Sequence, residues 1–250
     1  MRGYLELRAR PFDGTAAQPG AVINLLSDSE QKKLRSITTV LECKRGLTIF
    51  AQHGEAHLLY VVDTGMVRLS RCAENGQRHI LAFMNPGDFF GLPDNGRYVD
   101  SAEAVSQTRL YQIPWQQLQQ MMLAEPQLQL TLFTKLMHDF HQAQLQIMHL
   151  SKQNTCQRLA SFLLDLAEGP EFFNQSRSML KLPVNRFDLA DFIGSAPEST
   201  ARAFAKLESL GLVQRVTSRT IEILDQEGLR SVQRGPYVTA KPNHAHASPH

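Results

Sequence analysis

One long amphipathic segment restricts the folds that are open to this chain. Between Pro126 and Lys152, apolar residues recur in alternating steps of three and four, which is the period of a coiled-coil seam. The seam consists of Phe133, Leu136, Phe140, Ala143, Ile147 and Leu150. Further apolar side chains accompany it, at Leu128, Leu130, Leu132, Met137, Leu145 and Met148. We therefore predict a long dimerisation helix over residues 125–153. One stripe is expected to pack on its own domain and the other on a second copy of the chain.

The residues before this helix have the pattern of short strands separated by turns. The run LLYVVDTGMVRLSR places a turn between two apolar stretches, and Asn75-Gly76 is a strong hairpin signal. Short strands at regular spacing predict a β-jelly-roll over residues 23–124. Residues 1–22 are polar and contain Gly and Pro, and are predicted to form a flexible arm. Residues 235–250, with three Pro and three His, are predicted to be a disordered tail.

The composition excludes several classes of protein. Hydrophobic residues make up 42% and the net charge is +2, which excludes global disorder and a polybasic chain. The three cysteines, Cys43, Cys72 and Cys156, form no CxxC pair, which excludes a zinc ribbon and argues against a disulfide scaffold. No run of 18 apolar residues occurs. We expect no bound metal, no membrane partner and a reducing, cytoplasmic setting.

Two short helices are predicted close together near the C-terminus. Asn185 is a good N-cap for the first helix, which has an apolar face and ends at Gly194. Ser195 and Glu198 have the spacing of a capping box that would begin the second helix, and Gly211 ends it. The predicted apolar faces consist of Phe187, Leu189, Ala190 and Ile193, then Ala203, Phe204, Leu207 and Leu210. Two predicted strands follow, LVQRV and TIEIL, so residues 154–234 are predicted to form a winged helix-turn-helix.

The second helix of such a unit enters the DNA major groove with its N-terminus first. Glu198 and Arg202 are four residues apart and therefore project from one face. Arg can bind guanine O6 and N7, and Glu can accept a hydrogen bond from cytosine N4. Ser199 and Ala201 complete the predicted base-reading set, and Arg186, Lys206, Arg215 and Arg219 are predicted to contact phosphates. The alternative is an ordinary surface ion pair between Glu198 and Arg202.

The order of these parts resembles the cAMP receptor protein/FNR superfamily of transcription regulators, over roughly residues 24–230. The stretches that carry the resemblance are IFAQHGEAHLLYVVDTGMVRLSR, NPGDFFGL, SKQNTCQRLASFLLDLAE and the helix-turn-helix. The resemblance implies an α+β chain with an N-terminal cyclic-nucleotide-binding-like jelly-roll, a dimerisation helix and a C-terminal winged helix-turn-helix. It implies a homodimer on a palindromic DNA site, RNA polymerase as a partner, and Glu198 and Arg202 at the family's base-reading positions.

The chain departs from the family where an effector would bind. Leu92 follows Gly91 where nucleotide-binding members carry Glu, and Asp100 precedes Ser101 where they carry Arg. A phosphate beside Asp100 would be repelled, so we expect no cAMP. Three scattered cysteines do not supply the ligands of a [4Fe–4S] cluster, so we expect none. The stretch GDFFGLPDNGRYVDSAEA looks more like the FNR/FixK branch than the nucleotide-binding branch.

The recognition helix also departs from the family pattern, which bears on the half-site. Pro197 replaces the Arg of nucleotide-type members, and Ala201 replaces the Ser of FNR-type members. Pro197 has no donor for an outer guanine, so a half-site of about TTGA is favoured over GTGA. Cys156, at the start of the DNA-binding domain, is a candidate redox thiol, with a small packed side chain as the alternative.

Three alternatives to an effector-free regulator stay open. A haem-dependent gas or redox sensor of the same family would draw a ligand from His53, His57, His79, His138, His141 and His149. A cupin-like metal enzyme would use His53, Glu55 and His57, although HxxxH is not the cupin spacing. A pure protein-interaction module would leave Arg202, Arg215 and Arg219 without DNA contacts. We predict that the chain is not an enzyme and binds double-stranded DNA.

Overall fold

The computed structural model of the protein describes residues 5–9 and 23–235. The strands of the N-terminal half are β1 (Arg8–Ala9), β2 (Ile23–Asn24), β3 (Thr39–Cys43), β4 (Thr48–Phe50), β5 (Leu58–Thr64), β6 (Val67–Cys72), β7 (Arg78–Met84), β8 (Phe89–Phe90), β9 (Pro93–Asp94), β10 (Arg97–Tyr98), β11 (Ser101–Ala104) and β12 (Thr108–Pro114). The helices are α1 (Asp28–Ser36), α2 (Trp115–Ala124), α3 (Pro126–Lys152), α4 (Thr155–Ala167), α5 (Arg186–Phe192), α6 (Pro197–Ser209) and α7 (Gln226–Arg234). The strands of the C-terminal half are β13 (Phe173–Asn174), β14 (Met179–Lys181), β15 (Val213–Thr217) and β16 (Thr220–Ile223).

The N-terminal half is a barrel of two four-stranded antiparallel sheets. Their strand orders are β4-β11-β6-β7 and β3-β12-β5-β8. Val62 and Leu110 from one sheet share a buried core with Val67 and Ala102 from the other. At the β5–β6 turn Gly65 has φ +85°, and a Cβ there would lie 2.3 Å from the carbonyl oxygen of Gln107. Because only glycine fits such a turn, the Asp-Thr-Gly signal in the sequence marks the hairpin correctly.

Part of the predicted flexible arm is folded, so that prediction is wrong for residues 5–9. Strand β1 pairs with β2, and the amide of Arg8 donates to the carbonyl of Gly87 at 2.9 Å. Leu5, Leu7 and Ala9 are all buried. The alternation Leu-x-Leu-x-Ala is the period of a strand with one buried face, a signal that the polar composition of the arm obscured. The remainder of the arm and residues 236–250 of the predicted tail lie outside the described residues.

The long helix α3 runs from Pro126 to Lys152 as predicted, but the barrel covers only its beginning. Its buried side chains are Leu128, Thr131, Leu132 and Lys135. The expectation of a full second stripe packed on the barrel is therefore wrong beyond Lys135, and Leu130, Met137 and Met148 are exposed. The six predicted seam residues are also exposed in the single chain, with Ile147 at 67% of its full accessibility. Such an apolar row on one helix is what an unpaired coiled-coil seam presents.

The C-terminal half has its own core, built on α4. Asn154 caps this helix in a capping box with Gln157. Leu159 and Leu163 of α4 pack with Leu180, Leu189 and Leu207 from the wing sheet and the two short helices. The wing sheet has the order β13-β14-β16-β15. The predicted winged helix-turn-helix is therefore present. None of the helices in residues 5–9 and 23–235 is long and apolar enough to cross a lipid bilayer.

Candidate nucleic-acid interface

The helix-turn-helix is formed by α5 and α6. The side chain of Asn185 accepts hydrogen bonds from the amides of Phe187 and Asp188 at 2.9 and 2.8 Å, which confirms it as the N-cap of α5. Gly194 follows the helix with φ +59°, a conformation that a residue with a side chain rarely adopts. The predicted turn between the two helices is therefore in place, and it points the N-terminus of α6 away from the core.

Three local predictions in this region are wrong. The first concerns Leu210, which we expected on the buried face of α6 but which is 48% exposed. The N-cap of α6 is Ala196 rather than Ser195, and no side chain caps this helix. A capping box needs its acid three residues after the N-cap, and the shift by one residue leaves Glu198 out of register for it. Phe187, which we expected on the buried face of α5, is 60% exposed, and the Arg186 guanidinium lies 5.1 Å from its ring centroid. The buried residues of α5 are Asp188, Leu189 and Ala190, and the Phe187 side chain meets solvent.

The four predicted base-reading side chains lie on the outer face of α6. Glu198, Ala201 and Arg202 are exposed and Ser199 is half-buried, whereas Ala203, Phe204 and Leu207 face the core. Arg202 donates from Nη2 to the Ser199 Oγ at 3.0 Å. Within the described residues Glu198 forms neither a hydrogen bond nor a salt bridge, so the alternative ion pair with Arg202 is not formed. Glu198 thus keeps its acceptors for an external partner, and Arg202 keeps the donors that Ser199 does not engage.

The four predicted phosphate contacts are all exposed, but they differ in their existing partners. Arg215 on β15 donates to Glu208 from Nη2 at 2.6 Å and from Nε at 3.0 Å, and its amide also donates to Glu208 at 3.0 Å. These hydrogen bonds lower the pKa of Glu208, so the pair stays ionised. Arg219 lies in the turn between β15 and β16, where its amide donates to the Thr217 Oγ1 at 3.1 Å. Arg186 is exposed at the start of α5, and Lys206 is exposed in the last turn of α6.

Aromatic side chains line a cavity of the barrel. The cavity has a volume of about 320 Å³ and is lined by Phe50, Leu69, Arg71, Phe89, Phe90, Gly91, Leu92, Tyr98, Val99 and Asp100. Phe50 stacks on Tyr98 with ring centroids 3.8 Å apart. Arg71, the cation that lines the cavity, is paired with Asp100, whose Oδ1 lies 2.8 Å from Nη2. The carboxylate of Asp100 therefore already neutralises the Arg71 guanidinium.

The candidate histidine and cysteine ligands are dispersed. His53 and His57 lie in the loop before β5, His79 lies on β7, and the other three candidate haem ligands lie on α3. In the part of the chain that the structure describes, no three His, Cys, Asp or Glu residues form a group that could hold a metal ion. Cys156 is half-buried, and burial raises the pKa of its thiol although Lys206 acts in the opposite direction. A raised pKa keeps the thiol protonated and therefore weakly reactive.

Comparisons with known proteins agree with this division of the chain. Residues 40–125 match the family model for a cyclic nucleotide-binding domain, and residues 157–232 match a Crp-like helix-turn-helix domain. The chain is 34% identical over 187 residues to the nitrogen fixation regulation protein FixK of Azorhizobium caulinodans, covering 74% of this chain and 75% of that one. It is 27% identical to the transcriptional activator protein FnrA of Stutzerimonas stutzeri, over 77% of this chain and 79% of that one. The solved structure of FixK2 from Bradyrhizobium japonicum superposes with a TM-score of 0.71 at 25% identity, over 78% and 96% of the two chains.

Proposed function

Because the chain belongs to the CRP/FNR family of DNA-binding transcription regulators, we propose that it recognises an inverted-repeat DNA site as a homodimer, with half-sites of about TTGA and without cAMP. The observation that carries the proposal is the outer face of α6. Glu198 and Arg202 project there together, and neither is neutralised by the other. A bidentate Arg–guanine contact and a Glu–cytosine contact are each worth about 1–3 kcal/mol of base discrimination.

The half-site follows from the residues at the start of α6. Pro197 has no side-chain donor, so it gives no hydrogen bond to a guanine at the outer position. Ala201 offers only a methyl group, which suits the methyl of a thymine. The chain is similar to FixK and FnrA proteins, which supports an FNR-like DNA site over a cAMP-receptor-like DNA site.

The homodimer is supported by the exposed seam of α3. Six apolar side chains form one row along this helix, and the barrel does not cover them. A second copy of the same helix buries such a row by knobs-into-holes packing. Two chains related by a two-fold axis present two recognition helices, which we expect about 34 Å apart, one turn of DNA.

Independence from cAMP is supported by the cavity in the barrel. Phe50 and Tyr98 line it as a stacked aromatic pair, and Asp100 neutralises the Arg71 guanidinium. A cyclic nucleotide would have to separate that ion pair and place its phosphate beside a carboxylate, which is unfavourable. RNA polymerase as a partner and the cytoplasm as the location remain predictions from the family.

The test is fluorescence anisotropy with the purified, reduced protein and no added ligand. One duplex carries inverted TTGA half-sites and the other carries a scrambled sequence of the same composition. We expect salt-sensitive binding that prefers the palindrome, because phosphate contacts release counterions while base contacts provide the preference. Arg202→Ala should lose the preference and keep the salt sensitivity.

Equal, weak binding to both duplexes would contradict an effector-free regulator of TTGA sites. Repeating the titration after haem loading, and then with a random-sequence library, would show whether an effector or the half-site is at fault. A preference for the palindrome that appears only with haem would favour the gas-sensing alternative.

A further inference from the structure

A buried carboxylate of the helix-turn-helix lies between two arginines of the barrel. Asp188 on α5 is 4% exposed. Its Oδ2 accepts from Nη1 of Arg68 on β6, and its Oδ1 accepts from Nη2 of Arg78 on β7 at 3.0 Å. Arg68 is also buried and donates from its other terminal nitrogen to Glu103 on β11 at 2.7 Å. We call the place where Arg68, Arg78 and Asp188 meet the junction of the two domains.

Backbone and apolar contacts extend the same junction. The amide of Ile80 on β7 donates to the Oδ2 of Asp191, one turn after Asp188, at 2.9 Å. Phe83 of β7 packs edge-on against Phe192 with ring centroids 5.0 Å apart. Met66 and Val105 of the barrel are buried in the same cluster as the core of the DNA-binding domain. The two domains are therefore joined by apolar contacts as well as by the ion pairs.

The connection between α3 and α4 is bonded to the same helix-turn-helix. Arg158 donates to the carbonyls of Leu150 and Gln153 at 3.1 and 2.8 Å, and to that of Gly194 at 3.1 Å. Gln146 of α3 donates to the carbonyl of Phe192 at 3.3 Å. The orientation of α5 is thus determined relative to both the barrel and the dimerisation helix.

This junction leaves the DNA-facing side of the domain open. Asp188 and Asp191 face the barrel, whereas Glu198, Ala201 and Arg202 on α6 are exposed. A buried ion pair is poor evidence of added stability, because apolar groups of the same volume would stabilise the junction equally well. Charged groups of fixed geometry instead favour a single orientation of the DNA-binding domain relative to the barrel.

We propose that Arg68, Arg78 and Asp188 are positioning residues for DNA recognition, which hold the DNA-binding domain on the barrel in an orientation that leaves α6 exposed. The DNA-free dimer then presents both recognition helices at one separation, and no effector is needed to arrange them. The inference rests on the proposed function. When only a fraction of the molecules has the orientation that can bind DNA, the apparent affinity for DNA is reduced by that fraction. A contact that raises the fraction therefore tightens binding to correctly spaced half-sites.

The test compares Asp188→Asn and Arg78→Gln with the wild-type protein. Asparagine keeps an acceptor for the Asn185 side chain, which donates to Asp188 at 2.8 Å, and Arg78→Gln leaves the buried Arg68–Asp188 pair in place should the first variant fold poorly. Arg78→Lys, which keeps the charge, should retain wild-type behaviour. Glu227→Gln is the matched control, because it removes an ion pair with Arg230 that lies within α7 and crosses no domain boundary.

The first readout needs no DNA. Hydrogen exchange of the Ile80 amide should be faster in Asp188→Asn and Arg78→Gln than in the wild type and the control, because the bond to Asp191 opens when the domains separate. Unchanged exchange at Ile80 in both variants would overturn the positioning role, whatever the DNA site is.

The second readout is the dependence of affinity on half-site spacing. Anisotropy is measured on the TTGA palindrome and on a duplex whose half-sites are moved apart by half a helical turn. If about one molecule in ten stays competent, the two variants should bind the correct palindrome roughly tenfold more weakly. The ratio of their affinities for the correctly spaced and the displaced half-sites should be smaller than that of the wild type. Wild-type preference in both variants, or tighter binding than the wild type, would contradict the proposal. Loss of palindrome preference in the wild type itself would instead refute the proposed half-site.

Discussion

At the scale of single residues, the basic side chains around α6 differ in what already neutralises them. Arg215 is held in a two-pronged ion pair with Glu208, whereas Arg219 lies exposed in the turn of the wing. A cation that is paired within the protein releases fewer counterions when it approaches a phosphate. Exposure alone therefore overstates the part that Arg215 plays in non-specific binding.

We expect the salt dependence of DNA binding to distinguish these two arginines. Arg219→Ala should reduce the slope of log affinity against log salt by about one, the effect of one lost phosphate contact. Arg215→Ala should reduce the slope by less, because Glu208 already compensates its charge. Anisotropy titrations on the scrambled duplex at several salt concentrations provide the measurement. Equal slopes for the two variants would show that the Arg215–Glu208 pair opens on DNA.

Asp139 on α3 is a second residue with a specific expected behaviour. Lys135 is buried between Asp88 and Asp139, at 2.9 and 2.8 Å from their carboxylates, and burial raises the pKa of Asp139 to about 6. The folded protein then holds this proton more tightly than the unfolded chain, whose carboxyl has the ordinary pKa of 3.8. The contribution of Asp139 to the free energy of unfolding must therefore fall as the pH rises from about 4 to above 6.

Asp139→Asn should remove this share of the pH dependence. Thermal melts of the wild type and the variant between pH 4.5 and 7.5, covering roughly the interval between the two pKa values, give the comparison. We expect the difference in Tm between the two proteins to shift in favour of the variant as the pH rises. A difference that does not change with pH would contradict the raised pKa.

At the scale of elements, α3 is divided into two parts with different surroundings. Its first turns pack on the barrel through Leu128 and Leu132, and Thr131 donates to the Glu30 carboxylate at 2.8 Å. Beyond Lys135 the seam side chains are exposed. Substitutions in the two parts should therefore have different consequences, one on folding of the chain and the other on association.

Ile147→Glu should dissociate the dimer without unfolding the chain. Glutamates from two copies would face each other across the seam, where an unpaired charge is costly to bury. Analytical ultracentrifugation should show a monomer, with unchanged circular dichroism and with loss of palindrome binding. Gln144→Glu, at an exposed position of the same helix outside the seam, is the control and should remain a dimer. A dimeric Ile147→Glu protein would place the interface elsewhere.

Residues 5–9, which end in strand β1, are a short segment with a large expected effect on stability. Leu7 is 1% exposed, and its carbonyl accepts from the Leu25 amide at 2.8 Å. Leu7→Ala should lower the free energy of unfolding by about 2–5 kcal/mol, the usual cost of removing a buried leucine side chain. Leu123→Ala is the control, because Leu123 is 83% exposed. Equal denaturation midpoints for the two variants would mean that residues 5–9 do not belong to the folded core.

At the scale of the whole molecule, the barrel and the DNA-binding domain are in direct contact. Phe50 and Tyr98 line the cavity of the barrel as a stacked pair, while the outer surface of the barrel at β6 and β7 contacts α5. The barrel matches the family model for a cyclic nucleotide-binding domain, and Arg68 and Arg78 on its outer surface pair with Asp188 of the helix-turn-helix.

We therefore expect cAMP to leave the melting temperature unchanged. A ligand at a hundred times its Kd would raise the free energy of unfolding by about 2.7 kcal/mol, enough to shift Tm by several degrees. Differential scanning fluorimetry with and without millimolar cAMP measures this shift. A concentration-dependent increase in Tm would show that the Arg71–Asp100 pair opens to admit the nucleotide.

The sequence by itself determined the kinds of element, their order and which side chains lie on the outer face of α6. Periods of two and of three to four residues report which side of a strand or helix is apolar, and Gly and Asn at their ends mark the turns. These are local properties, which explains why the boundaries of α3, the Asn185 cap and the winged helix-turn-helix could be predicted. The family's residue pattern then placed Glu198 and Arg202 on α6.

Only the tertiary structure decided which residues pair, which side chains are buried and at which residue α6 begins. The Arg68–Asp188 pair joins residues 120 positions apart, and nothing near either residue in the sequence indicates its partner. Leu7 and Phe187 were assigned to the wrong environment because burial depends on which element packs against a given face. Ser195 does not cap α6, because the helix begins one residue later than the sequence pattern predicts. Pairing, burial and the orientation of the domains arise from contacts between distant segments, and local periodicity carries no information about them.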